Sequence, residues 1–351
     1  MLLYLHIPFC DSKCSYCAFN SYVDKFHLKR EYMSALEEQL LYELNRFNVD
    51  KKSIESVFIG GGTPSTISPE LYKNIFEIIS QYLQENAEIT TEANPNSATY
   101  EWLNGMKKLG INRVSFGVQS FNADKLKLLN RAHNPAQAIE AVNNAKKAGF
   151  QNISLDLIYA TLGDTKELLK KDLEIAFSLP INHLSAYALT IEEGTAFASK
   201  PQMSKEQLED TQSFFQQIEE KGFKQYEISN FGNYNSVHNL GYWQYKEYMG
   251  VGAGAVGKLK NKRYYPETEI EKYIQNPLQI RIETLLDEDI KIEKIFLGFR
   301  SIVGVAQNIL NKEERSRADL LVQEGRLIFK EMRYYNNDYL LSDELTLFIT
   351  S

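Results

Sequence analysis

His6-Ile7-Pro8-Phe9-Cys10-Asp11-Ser12-Lys13-Cys14-Ser15-Tyr16-Cys17 is the stretch on which the fold of this 351-residue chain turns. It holds all three cysteines of the sequence, Cys10, Cys14 and Cys17, in a C-x3-C-x2-C pattern. A structural zinc site asks for four ligands, commonly in two C-x2-C pairs. Three thiolates instead suit a [4Fe–4S] cluster, because each cubane iron takes one cysteine and the fourth iron is left open to a ligand that is not protein. Without a cluster, so many thiols in one short loop would be an oxidation liability.

Outward from this loop, short β-rich runs alternate with longer amphipathic segments. Strands are expected over 2–7, 54–59, 88–93, 113–118, 152–158 and 183–189. Helices are expected near 24–47, 69–83, 98–109, through 147, near 165–178 and near 205–221. Six βα units in series predict an α/β fold with a parallel sheet and right-handed crossovers. A full (β/α)8 barrel takes about 250 residues, so six units predict a partial, TIM-like barrel over 1–229. From 230 to 265 the chain turns rich in aromatics, Asn and Gly, which reads as a connecting segment. Residues 266–351 read as a small C-terminal domain.

Polar residues stand out where these strands end. Gly60-Gly61-Gly62-Thr63-Pro64 follows the second strand, and glycines there let backbone and ligand approach closely. Glu92 closes the third strand and Gln119 the fourth, while Arg131 follows in Leu129-Asn130-Arg131-Ala132-His133. Asp156 interrupts the apolar run Ser154-Leu155-Asp156-Leu157-Ile158. A carboxylate buried there without a partner would be costly, so it reads as facing a polar cavity.

The cysteine triplet, followed one βα unit later by the glycine run, resembles the radical SAM superfamily. In that superfamily the open iron chelates the amino and carboxylate groups of S-adenosylmethionine (SAM). An electron from the cluster then cleaves the sulfonium to a 5′-deoxyadenosyl radical. The resemblance implies a (β/α)6 three-quarter barrel with its chemistry at the C-terminal ends of the strands. It implies Cys10, Cys14 and Cys17 as cluster ligands, and Gly61, Gly62 and Thr63 at the methionine amino group. Tyr16 would cover the cluster or the adenine. Tyr4, Glu92, Gln119, Arg131 and Asp156 resemble the SAM-binding set of the oxygen-independent coproporphyrinogen III oxidase branch. There the carboxylates hold the ribose or the methionine end, and the arginine holds the carboxylate. His6 either bonds a cluster sulfur or a SAM group, or only packs. His27, His133 and His183 are given no role.

That branch divides, and the sequence speaks to the division. Its porphyrinogen-oxidising members carry a fourth cysteine, C-x2-C-x-C, where this chain has Ala18-Phe19. They also carry an extension ahead of the Y-x-H-I-P-F-C stretch, whereas Tyr4 here is almost the first residue. What this chain has instead is Val237-His238-Asn239-Leu240-Gly241-Tyr242-Trp243, then Tyr248-Met249-Gly250-Val251-Gly252-Ala253-Gly254-Ala255. The first is similar to the H-N-x-x-Y-W motif of the HemW haem chaperones, and Glu293-Lys294-Ile295-Phe296-Leu297-Gly298-Phe299-Arg300 also resembles that group. Histidine is a common axial ligand of haem iron, and Tyr and Trp offer flat apolar faces with polar edges. The resemblance implies His238 on the iron and Tyr242 and Trp243 against the porphyrin. It implies haem beside the cluster and SAM, an acceptor haemoprotein such as a respiratory enzyme, and an electron donor. Whether the chain also turns over a substrate stays open. The alternative is an oxygen-independent coproporphyrinogen III oxidase, decarboxylating propionates by radical chemistry. A radical SAM enzyme acting on something else is a third reading, since fold and cluster do not fix the substrate.

A formal net charge of −7 and a pI near 5.5 give no global attraction to nucleic acid or anionic lipid. Thiols that serve as metal ligands point to a reducing cytoplasm. The opening MLLYLHIPFC has no basic leader, and a cleaved signal peptide would delete the cysteine loop. No apolar stretch is long enough to span a bilayer. The oligomeric state is left open.

Overall fold

Alternate side chains of a strand point to opposite faces, and the first strand shows what this does here. In β1, Leu2–Ile7, the side chains of Leu3, Leu5 and Ile7 join the main core, which leaves Tyr4 and His6 on the other face. The computed structural model describes residues 1–205 and 207–351. After β1 come α1 (Lys29–Arg46), β2 (Ile54–Gly61), α2 (Lys73–Ile79), β3 (Leu83–Ala93), α3 (Tyr100–Lys108) and β4 (Arg113–Gln119). Then follow α4 (Ala123–Leu128), α5 (Pro135–Lys147), β5 (Asn152–Tyr159), α6 (Lys166–Ser178), β6 (His183–Ala188) and α7 (Leu208–Glu220). The helix expected from 205 thus includes residue 206, which lies outside the described residues.

Strands β1 to β6 pair in chain order and in parallel, with their connecting helices packed on the outer face. Two elements differ from the sequence expectation. The helix expected to reach residue 83 stops at Ile79, because β3 already begins at Leu83. Leu83 pairs with Ile54, but the polar stretch after it bulges before Glu88 resumes the register opposite Ser56, so no apolar run marks this half of the strand. The helical stretch before Lys147 is broken in two, since Asn134 and Gln137 form a capping box around Pro135 and start α5 afresh.

Beyond α7 lie β7 (Lys224–Gln225), β8 (Asn230–Gly232), α8 (Val237–Trp243), β9 (Tyr248–Val251), β10 (Gly257–Leu259), β11 (Lys262–Pro266), α9 (Ile270–Gln275) and β12 (Ile280–Thr284). β9 pairs in parallel with β1, a seventh parallel strand contributed by the aromatic and glycine-rich segment. β10, β11 and β12 extend that edge in antiparallel fashion, and β8 and β7 extend the β6 edge. β6 and β9 do not pair, so the parallel strands form a partial barrel. The expected boundary at residue 266 falls at the end of β11, and the sheet continues to Thr284.

A second core starts at α10 (Asp287–Phe299) and continues through β13 (Val305–Ala306), α11 (Lys312–Gln323), β14 (Leu327–Lys330), β15 (Arg333–Asn336) and α12 (Ser342–Thr350). Ile295, Phe299, Leu321, Tyr334 and Ile349 are among its buried residues. It is joined to the barrel by backbone bonds, Ile228 N to Arg300 O at 2.9 Å and Ile302 N to Tyr226 O at 2.9 Å. Among the described residues no helix is long and apolar enough to cross a membrane.

Candidate functional site

At the C-terminal ends of the parallel strands lies a cavity of about 470 Å³. Cys10, Cys14 and Cys17 line it together with Tyr16, and from the strand ends come Gly61, Gly62, Thr63, Glu92, Gln119, Arg131 and Asp156. Residues spread over nearly 150 positions of sequence therefore share one wall, as parallel βα units require.

The glycine run is there for room. Gly61 has φ +111°, and a Cβ on it would stand 2.4 Å from the His6 ring. A Cβ on Gly62 would stand 2.8 Å from the Phe9 carbonyl oxygen. His6 fills the space under Gly61 and spends both ring nitrogens on protein, Nδ1 with the Tyr4 hydroxyl at 3.1 Å and Nε2 with the Asn20 carbonyl at 2.9 Å. Of the two readings of His6, packing is the one its bonds match.

Each of the three sulfurs receives a hydrogen bond, Cys17 from the Phe19 backbone N–H. Thr63 Oγ1 donates to Cys10 Sγ at 3.4 Å, and Arg131 Nη1 donates to Cys14 Sγ at 3.1 Å. Between them stands Asn94, whose Nδ2 donates to Thr63 Oγ1 at 3.0 Å while its Oδ1 accepts from Arg131 Nη2 at 2.6 Å. Sequence reading gave Asn94 no role; its only signal is its place directly after a strand whose penultimate residue is Glu92. Among the described residues buried Arg131 Nε has no partner, so the guanidinium, which also meets the Tyr16 side chain, keeps a donor for a ligand. Burial pushes the Cys10 and Cys17 thiols up.

Among the described residues no three His, Cys, Asp or Glu side chains converge to hold a single ion. A cubane needs a different arrangement, with each thiolate meeting its own iron. Three thiols on one cavity wall, all of them already accepting hydrogen bonds as cluster thiolates do, fit that group.

Glu92 sits at the cavity wall with Oε2 accepting from Gly61 N at 3.2 Å. Burial, then the charge of Asp156, push its carboxyl up to about 8. Asp156 is also pushed up by burial, against the hydrogen bond of Ser115 Oγ at 3.2 Å. Gln119 takes φ +68°, a left-handed conformation that costs a non-glycine residue, where β4 slips register against β5. The slip turns its side chain into the cavity. Phe19, in place of a fourth thiol, is 66% exposed at the cavity mouth.

Tyr4 does not line this cavity. Its hydroxyl is taken by His6, its ring stacks on Phe58 at 6.2 Å, and it faces a second, open hollow of about 260 Å³. The expected SAM contact of Tyr4 thus differs from its place in the fold: neither Tyr4 nor His6, which bonds it, is among the residues lining the cysteine cavity.

That second hollow is lined by Tyr4, Phe58, His238, Asn239, Tyr242 and Tyr248, with Val256. α8 is held there by Glu88, whose carboxylate accepts from Val237 N at 2.9 Å, His238 N at 3.0 Å and Ser236 Oγ at 3.2 Å. Gly241 lets the helix close on β1, since a Cβ would stand 2.6 Å from the Leu2 side chain. His238 and Tyr242 are four residues apart and share a helix face. His238 is buried, with Nδ1 bonded to Ser56 Oγ at 2.9 Å and Nε2 to the Tyr242 hydroxyl at 3.1 Å. Burial lowers its pKa to about 3, so the ring is neutral. Trp243 is not brought to this hollow: five residues from His238, it falls on another side of the helix and is half-buried there.

Comparison with known proteins adds three findings. The sequence model of the radical SAM superfamily matches residues 4–176. The chain is 34% identical to heme chaperone HemW of Bacillus subtilis over 87% of this chain and 84% of that one. It is 34% identical to heme chaperone HemW of Lactococcus lactis over 95% and 90%, and 38% identical to that of Haemophilus influenzae over 77% and 72%. Among solved structures, the coproporphyrinogen III oxidase HemN of Escherichia coli, a radical SAM enzyme, superposes with a TM-score of 0.81 at 19% identity, covering 99% of this chain and 89% of that one. At that identity the likeness speaks for the fold alone.

Proposed function

The chain belongs to the HemW family of radical SAM proteins, and from that membership we propose that it takes up haem and passes it to an acceptor haemoprotein. The observation that supports this reading is the separation of two sites. The cysteine cavity and the hollow under His238 and Tyr242 have no lining residue in common. One is suited to a cluster with SAM, the other leaves the H-N-x-x-Y-W histidine beside open space.

When bound, the cluster and its SAM supply one-electron chemistry. Cys10, Cys14 and Cys17 hold the cluster. Glu92, anchored on Gly61 N, takes the methionine amino group with Gly61, Gly62 and Thr63 around it. Arg131 takes the carboxylate through its free donor, and Gln119 and Asp156 take the ribose. Tyr16 covers the group from the loop side. The protein works in the reducing cytoplasm, with an electron donor for the cluster and an acceptor such as a respiratory enzyme.

Haem is the cargo. Neutral His238 offers Nε2 to its iron once the Tyr242 hydroxyl swings aside, and Tyr242 then faces the porphyrin. An anaerobic haem titration of the reconstituted protein, followed by visible absorbance, tests this. Stoichiometric binding with unchanged cluster absorbance is expected. No specific binding, together with conversion of coproporphyrinogen III to protoporphyrinogen, would replace the chaperone by an oxidase.

A further inference from the structure

The hollow under His238 does not end at Tyr242. Tyr242 and Tyr248 stand edge to face at 4.8 Å and form a wall common to it and to a neighbouring hollow of about 320 Å³. This neighbouring hollow lies between the end of α8, the strands β9 to β11 and α10, and carries Lys246, Lys258 and Arg263 on its lining.

Three features of this neighbouring hollow bear on an anion. Lys258 is only 4% exposed, yet among the described residues no carboxylate pairs with it. Its Nζ has the Tyr245 carbonyl at 3.3 Å and the Tyr245 ring centroid at 3.8 Å. Glu247 and Glu293 act on it from beyond ion-pair distance, and a buried ammonium without a close counter-ion is expensive. Second, Lys258 is directly opposite Arg263 in the β10–β11 ladder and opposite Tyr248 in the β9–β10 ladder. Like charges facing each other across a ladder destabilise it. Glu293, the one carboxylate on this lining, is already engaged by Arg263 Nη2 at 2.6 Å and by the Tyr245 hydroxyl at 2.5 Å. Lys246 is paired with Glu55, which leaves Lys258 as the cation in excess. Third, Tyr245 has φ +60° just past the end of α8, where glycine is the usual residue. The strained tyrosine brings its carbonyl and ring over Lys258, and such strain points to a local task.

We propose that the two hollows form one porphyrin groove, in which Lys258, with Arg263 beside it, binds a haem propionate while the iron lies on the His238 side. This rests on the reading of the chain as a haem carrier and extends it from the iron to the acidic edge of the macrocycle. The tetrapyrrole lies against the apolar ring faces of Tyr242 and Tyr248. An ammonium meeting a carboxylate away from bulk water makes a charge-assisted bond, stronger than a neutral one.

The test is a parallel anaerobic titration of the reconstituted full-length protein with haem and with haem dimethyl ester, whose propionates are blocked. The wild type should bind haem about tenfold more tightly than the ester. Lys258→Met should lose that preference by weakening haem alone, and Lys258→Arg should restore most of it. Equal affinity of the wild type for haem and ester would overturn the propionate site and leave the carrier reading standing. Failure of the wild type to bind haem at all would remove both. The ester comparison needs no variant, so a misfolded Lys258→Met would not spoil it.

Discussion

Arg131 Nη1 donates to Cys14 Sγ at 3.1 Å, and this bond is one end of a chain that reaches Cys10 Sγ through Asn94 and Thr63. The donors are all oriented the same way along the chain from Arg131 to Cys10, so each bond polarises the next. Arg131 is thereby fixed with Nη2 also on the Gly117 carbonyl at 2.6 Å, and its Nε is left for a ligand.

Removing the guanidinium should therefore cost SAM affinity. Arg131→Met is expected to weaken SAM binding to the reconstituted protein by about tenfold or more, as loss of a hydrogen bond to a charged group is worth roughly 1.5–3 kcal/mol. Asn94→Ala, which only unbraces the arginine, should cost about fivefold. Equilibrium binding of SAM measures both, with haem affinity unchanged as the control. SAM binding by Arg131→Met at wild-type strength would restrict Arg131 to the sulfur.

Glycine is demanded at residue 61 for two reasons, and a paired experiment separates them. Gly110 also has positive φ, +100°, but nothing lies within 4 Å of a Cβ built there. Gly110→Ala should cost about 1 kcal/mol, the backbone term alone. Gly61→Ala adds the overlap with the His6 ring, so a total of about 3 kcal/mol is expected. Urea unfolding of the two variants gives the difference; equal losses would mean that His6 moves aside freely.

The cysteine loop and the glycine run were legible in the sequence because their chemistry is local: a spacing and a backbone conformation. The strands β1 to β6 were legible because each holds a β-rich run bounded by helix signals, although the polar first half of β3 was not seen. β9 was not, being four residues long in a segment without periodicity, and it finds its place only by pairing with β1. The place of Tyr4 was not legible, for a related reason. Alternation puts it on the inner face of β1 but does not give the height of the barrel at which it serves, and in the fold it faces the hollow beside Phe58 and His238. Asn94 and Lys258 were invisible because what singles them out is a missing or bridging partner, which depends on residues far along the chain.

Glu92 predicts how stability responds to pH. Its folded value of about 8 lies well above the roughly 4.3 of an unfolded glutamate. Between those limits the folded chain keeps a proton that the unfolded chain has lost. This group's contribution therefore opposes folding more strongly as pH rises through that window, by up to about 1.4 kcal/mol per pH unit, and levels off above pH 8. Glu92→Gln should flatten the decline in unfolding free energy between pH 5 and 8. The same proton should leave when a ligand ammonium arrives, so SAM titrations at pH 7 in two buffers of different ionisation heat should show release approaching one proton. An unchanged pH profile in Glu92→Gln, with no proton released, would place the carboxylate in its ionised form throughout.

The last prediction concerns the hydrogen bond between His238 Nε2 and the Tyr242 hydroxyl, 3.1 Å long. If His238 is the iron ligand, this bond competes with haem, because one lone pair cannot serve both. A neutral imidazole with its pKa near 3 loses nothing to protonation above about pH 4, so the tyrosine is the competitor that remains. Tyr242→Phe keeps the ring that walls the groove and deletes the competing hydroxyl. Haem should then bind about two- to tenfold more tightly, the equivalent of a net hydrogen bond of roughly 0.5–1.5 kcal/mol. His238→Ala should abolish the ligated haem spectrum, and Ser56→Ala, which removes only the Nδ1 partner at 2.9 Å, should leave a ligand in place with weaker orientation. Visible absorbance titrations of the three variants decide the matter. Weaker binding by Tyr242→Phe with His238→Ala unchanged would transfer the anchoring role from the imidazole to the phenol.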